Sequence, residues 1–190
     1  RVLGGRPVDV TGLARDANRL WIGTAAGLAV FDLQADTLRS VDGSEQFSIN
    51  GLAAGRQYIW AATDQGLFRC LRDDATWSQV SSPDAITRLR TTAVVADSAG
   101  VWAILDAPPS LIRWTSKDTT WARFPLSEAG GSRRIGLDAH AGRVWVGTDR
   151  GVMRFDGASR MWHRYTRFDG LLHDRVQAVA VDGDQVWFGT

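Results

Sequence analysis

The sequence predicts an all-β chain, a β-propeller of four-stranded antiparallel blades with four full blades and the start of a fifth. Three observations carry that reading. Five tryptophans, Trp21, Trp60, Trp102, Trp145 and Trp187, follow one another at steps of 39, 42, 43 and 42 residues. Around each, β-branched and small residues alternate with period two, as Val144, Val146 and Thr148 do with Trp145 and Gly147, which is the signature of a strand. Turn residues such as Asp149, Arg150 and Gly151 separate each such run from the next, and all-strand units near 40 residues are the length of propeller blades.

The elements follow in order by counting from each anchor. Eight residues before the tryptophans stand Leu13, Leu52, Val94, Leu137 and Val179, each preceded by a small residue, Gly12, Gly51, Ala93, Gly136 or Ala178. First strands of neighbouring blades crowd together, so a small residue there has a steric reason. These innermost strands are expected at 10–14, 49–53, 91–95, 134–138 and 176–180. A polar or small turn leads into the tryptophan strand, and Gly27, Gly66 and Gly151 open the third strand. Phe31, Cys70, Trp114 and Phe155 are followed seven residues later by Leu38, Trp77, Trp121 and Trp162 on the outer strand.

The expected blades are approximately 8–41, 48–80, 90–124, 133–166 and an incomplete 175–190, in a single domain over 1–190. Because the count stops inside a unit, the expectation is a segment of a larger propeller of about six to eight blades. It would have an open blade edge available for self-association or a protein partner. The third unit departs from the pattern, with Ile104 and Leu105 replacing Gly and Thr and a longer turn holding Pro108, Pro109 and Ser110.

Composition narrows the function. The 190 residues are 44% hydrophobic, enough for a core, and the net charge is +1. No basic stripe marks a nucleic-acid surface. The single cysteine, Cys70, excludes an internal disulfide and a cysteine metal cluster, and it stands where other units carry Phe31, Trp114 and Phe155, so it reads as a small buried hydrophobe. The sequence holds no signal peptide and no apolar run long enough to span a membrane.

The phrase Trp-x-Gly-Thr-x-x-Gly-Val/Leu-x-x-Phe-Asp, the outer Trp-x-x-Tyr/Phe, and Gly170 with Leu171 in the last connection resemble the two-component regulator propeller repeat. The resemblance covers roughly 8–190 and is weakest in the third unit. It implies a bacterial sensor region, periplasmic or extracellular, with oligosaccharide or other small-molecule ligands in several groups. No kinase, receiver or DNA-binding signature is present in this sequence.

The residues themselves argue against catalysis. His140, His163 and His173 fall at a turn, an outer strand and a connection, without a common metal-ligand spacing, and no serine sits in a nucleophile-elbow context. The expectation is a non-enzymatic sensing or ligand-binding propeller without cofactor or metal. The alternatives are a protein-interaction scaffold and a metal-dependent lyase. All nine tryptophans occupy repeat positions, which favours packing over ligand stacking. Propeller geometry puts the turns between second and third strands on one face with the connections between blades. The candidate ligand-binding residues are therefore Asp64 and Gln65, Asp149 and Arg150, with Arg134, His173 and Arg175 on the connections.

Overall fold

The structure is a computed structural model that describes residues 9–73, 76–98, 100–115, 120–126 and 134–190, with the side chains of Arg134 and Ile135 outside the description. Four sheets of four strands and one of two follow each other along the chain. The first holds β1 (Val10–Asp16), β2 (Arg19–Thr24), β3 (Gly27–Asp32) and β4 (Thr37–Ser40). The second holds β5 (Ile49–Ala54), β6 (Tyr58–Thr63), β7 (Gly66–Leu71) and β8 (Trp77–Gln79), and the third β9 (Thr91–Ala96), β10 (Gly100–Leu105), β11 (Ser110–Thr115) and β12 (Thr120–Pro125). The fourth holds β13 (Arg134–His140), β14 (Arg143–Thr148), β15 (Gly151–Asp156) and β16 (Met161–Tyr165), and the last pairs β17 (Ala178–Asp182) with β18 (Gln185–Gly189). Each sheet is a meander of consecutive antiparallel strands. These are propeller blades. Among the described residues the only helical pieces are single 3₁₀ turns at Ile86–Arg88 and Arg167–Asp169.

The contacts group into two compact units, Arg1–Val94 with Ala103–Ala107 and Val95–Trp102 with Pro108–Thr190. In the first, Trp21 is fully buried in a cluster with Ala14, Leu28, Val30 and Val41 of its own blade and Ile59 and Cys70 of the next. Cys70 is the small buried hydrophobe its repeat position implied. In the second, Trp102 meets Phe124 and Phe155, the latter edge-on at 5.8 Å, and Phe155 meets Trp162 at 4.9 Å. The tryptophan anchors are not equally covered: Trp145 is half-buried beside Tyr165 and Phe188, and Trp187 is 63% exposed.

At Gly12 and Gly136 the small residue of the first strand has the steric reason expected of it. A Cβ on Gly12 would lie 3.1 Å from the Leu52 amide nitrogen, and one on Gly136 3.0 Å from that of Val179. At Gly51 the nearest atom would be the Ala93 Cα at 3.6 Å, ordinary contact that an alanine can make. Just before these residues the pairing slips, between Val10 and Gly12, Ile49 and Gly51, and Arg134 and Gly136. A β-bulge leaves one residue without a place in its own ladder. In the first unit that residue's side chain turns to the next blade. The Thr11 hydroxyl donates to the Ile49 carbonyl, and Asn50 Nδ2 donates to the Thr91 carbonyl at 2.8 Å.

The fifth first strand begins two residues later than counted, because Val176 and Gln177 give their amides to Thr148 and Gly189. Turns between third and fourth strands are closed by Asp32 and Asp156, each accepting two backbone amides. Those amides hold both carboxyls below the usual range.

The close approach separates two substitutions. Gly136→Val is expected to lose about 1–3 kcal/mol through overpacking, whereas Gly51→Ala is expected to change stability by less than about 0.5 kcal/mol. Thermal melts of the two variants against the parent check this.

Candidate functional site

The turns between second and third strands are built identically in three blades. Thr63 Oγ1 donates to the Gly66 carbonyl at 2.8 Å and accepts from the Gln65 amide at 3.1 Å. Thr24 does the same with Gly27 and Ala26, and Thr148 with Gly151 and Arg150. The glycines have φ of +112°, +119° and +118°, a region costly for a side chain. A Cβ there would also run into the Ser44 and Thr87 carbonyls of the connections after the first two blades and, in the fourth, the Tyr165 carbonyl at the end of the outer strand. The threonine and glycine of the repeat therefore fix each turn against the end of the outer strand or the connection beyond it. In the third blade Leu105 is buried where threonine stands elsewhere. Ser110 replaces the glycine, bonding the Pro108 carbonyl at 2.9 Å and accepting from Arg123.

The structure places the candidate residues on these braced loops. Asp64 and Gln65 are exposed in the first unit. The Asp64 carboxylate accepts from the Ser48 amide at 3.1 Å, and the Gln65 carbonyl accepts from Gln79 Nε2 at 3.0 Å. In the second unit Asp149 is partly buried and Arg150 exposed, with the Arg150 carbonyl held by Arg164 at 2.6 Å. His173 and Arg175 are exposed on the last connection, where His173 Nδ1 accepts from the Arg175 amide at 2.9 Å. That connection docks through Val176 on the Thr148 carbonyl. Arg134 opens β13 opposite Thr148, and its side chain lies outside the described residues. The turn-plus-connection arrangement thus gathers Asp64 with Gln65, and Asp149 and Arg150 with the last connection. Among the described residues no group of three or more His, Cys, Asp or Glu side chains could hold a metal ion, and no helix is long and apolar enough to cross a membrane.

Two features were not legible in the spacing. The first is a polar clamp between the first two blades. The Asp16 carboxylate, 2% exposed, accepts from Trp21 Nε1 at 2.8 Å and Arg72 Nε at 3.0 Å, with Arg19 at 3.4 Å. Arg72 also donates to the Gly55 and Arg56 carbonyls, and Arg19 to the Arg72 carbonyl. Burial pushes the Asp16 pKa up, but the hydrogen bonds from Trp21 and Arg72 and the charges of both arginines outweigh it, so the net shift is downward. A pocket of about 460 Å³ beside this clamp is lined by Arg56, Gln57, Tyr58 and Asp73 as well.

The second feature is a pocket of about 570 Å³ between the outer edges of the first two blades, lined by Arg39, Asp42, Gln46, Phe47, Phe68, Trp77 and Gln79 among others. None of the candidate residues lines either pocket. Gln65, however, borders the larger one through its bonds to Gln79 and Gln46.

No family model matches the sequence, and no curated protein matches it. Solved structures share its fold. The extracellular domain of the putative one component system BT4673 from B. thetaiotaomicron is 18% identical with a TM-score of 0.75, over 97% of this chain and 26% of that one. That of the putative hybrid two component system BT3049 from the same organism is 17% identical with a TM-score of 0.71, over 95% and 27%. The computationally designed Ika4 protein is 19% identical with a TM-score of 0.60, over 82% and 95%. The chain spans about a quarter of the length of the two B. thetaiotaomicron domains. The propeller fold expected from the repeat is the fold of these extracellular domains.

The clamp makes a pH prediction. Because the folded pKa of Asp16 is depressed, its contribution is complete above the unfolded carboxyl value of about 3.9 and is lost as pH falls through the lower folded value. Asp16→Ala is expected to lose about 1–2 kcal/mol at pH 7, reduced from the cost of breaking a fully buried pair because both arginines are partly solvated. That difference should shrink as unfolding is measured from pH 5 towards pH 2.

Proposed function

We propose that this chain is a non-enzymatic ligand-binding part of an extracytoplasmic sensor, and that its ligand is an oligosaccharide held at the turn-and-connection loops. The observation that carries the reading is the braced loop. Threonine, glycine and the following connection fix the backbone of each turn, so side chains there are displayed on a rigid scaffold. Arg150 is held through its main chain alone, and Arg175 likewise. Their guanidinium groups make no hydrogen bond or ion pair among the described residues and are available to hydroxyls or carboxylates. Asp149, Arg134 and His173 complete the proposed set in the second unit, and Asp64 with Gln65 form the corresponding turn of the first. The extracytoplasmic placement follows the repeat's resemblance, supported by the fold shared with extracellular domains.

The test is calorimetric titration of the chain with cellohexaose, xylohexaose and mannohexaose. At least one should bind, and Arg150→Ala and Arg175→Ala together should weaken it about tenfold or more with the melting temperature unchanged. Binding that persists in the double variant would remove the loops from the site.

A further inference from the structure

We infer that the pocket between the outer edges of the first two blades is a subsite for one sugar ring. This rests on the reading that the chain binds an oligosaccharide and adds to it a site of different chemistry. The floor is aromatic: the Trp77 indole stacks on Phe68 at 5.2 Å and 11°, and Phe47 tilts against Phe68 at 4.3 Å. The other blades are built without this arrangement. Phe68 pairs with Gln79, and the residues paired at the same place in the other sheets are Ala29 with Ser40, Ile112 with Arg123 and Met153 with Arg164. Only the second blade has an aromatic residue there, stacked on its outer-strand tryptophan. Phe68 is itself buried with Phe47, Ile49 and Ala61, so the aromatic pair both packs the second blade and, with Trp77, lines the pocket.

The rim has the opposite character. Arg39, Asp42, Gln46 and Gln79 are exposed around the pocket, and Arg39 and Asp42 make no hydrogen bond or ion pair among the described residues. One cation and one anion with two amides give a nearly neutral, donor-and-acceptor rim. A phosphate or polyanion would need several uncompensated cations. A sugar ring presents a C–H face that packs on an aromatic floor and a rim of hydroxyls that both donate and accept. The pocket volume of about 570 Å³ lies within the usual range for small-ligand sites. Gln65, on the turn of the same blade, borders this subsite, since its carbonyl orients Gln79 and its own amide reaches the Gln46 carbonyl.

Trp77→Ala and Phe68→Ile both touch the core, so the milder Phe68→Ile, which installs the residue the third sheet uses, is paired with Arg39→Ala on the exposed rim. Calorimetric titration with the same three hexasaccharides, together with a proline-rich decapeptide, is carried out on the parent, Phe68→Ile, Arg39→Ala and the Arg150/Arg175 double variant. The expected result is that Phe68→Ile weakens the best-bound hexasaccharide about tenfold, Arg39→Ala about threefold or more, with melting within a few degrees of the parent. Hexasaccharide binding that is unchanged in Phe68→Ile but lost in the double variant would overturn the subsite and leave the loop site standing. Binding of the decapeptide in place of the sugars, lost in Phe68→Ile, would make the pocket a peptide groove and overturn the proposal. No binding of any probe would overturn both the subsite and the oligosaccharide reading.

Discussion

At Gly12 and Gly136 the first strand of one blade passes so near the first strand of the next that a single added carbon meets backbone at 3.0–3.1 Å. That approach sets the spacing from which the other contacts follow. It lets the bulged residues Thr11 and Asn50 reach carbonyls of the adjoining first strand. It also gathers Trp21 into one buried cluster with Ile59 and Cys70. Farther out it holds Asp16 within reach of Arg72, a residue 56 positions away. Widening the first strands by a methyl or two would loosen all three layers of contact, because a packed interior transmits small displacements.

Magnitudes separate what holds the blades together from what orients them. A buried tryptophan removes about 150–250 Å² from water, which at about 25 cal/mol per Å² is several kcal/mol. A hydrogen bond contributes about 1 kcal/mol net. The aromatic layer therefore supplies the cohesion, and the Asp16 clamp fixes register between the first two blades. Repeated arginines on the third strands belong with the aromatic layer. Arg113 lies 4.7 Å over Trp102, Arg69 4.5 Å over Tyr58, and Arg154 5.6 Å over Trp145. Their flat guanidinium groups extend apolar contact while their charge meets the ring faces.

Spacing along the chain made the blades legible because every blade is a local meander, and each strand pairs with the next one in sequence. The threonine and glycine of the turns were legible for the same reason, being three residues apart. What the sequence hid lies between blades. The Asp16–Arg72 pair needs the register of one sheet against another, and no spacing rule encodes that register. The bulges before Gly12 and Gly51 were hidden because Thr11 and Asn50 share no residue type, only a position. Trp145 and Trp187 look like Trp21 in sequence, yet their burial depends on which side chains a neighbouring sheet supplies. Phe68 was visible as a phenylalanine among other hydrophobics. Its meaning appears only when Ala29, Ile112 and Met153 are aligned to it by their strand partners.

The repeat-anchor tryptophans pack, and the loops and the outer pocket recognise. The direct measurement is Trp145→Ala, with unfolding and hexasaccharide titration followed on the same preparation. Trp145 lies between Tyr165 and Phe188 at 5.7 Å from each and is half-buried. The expected loss is therefore about 2–4 kcal/mol, below that of a fully buried tryptophan, with the affinity of the folded protein unchanged. A variant that melts with the parent and has lost sugar binding would contradict the account, because the tryptophan ladder would then be the binding surface.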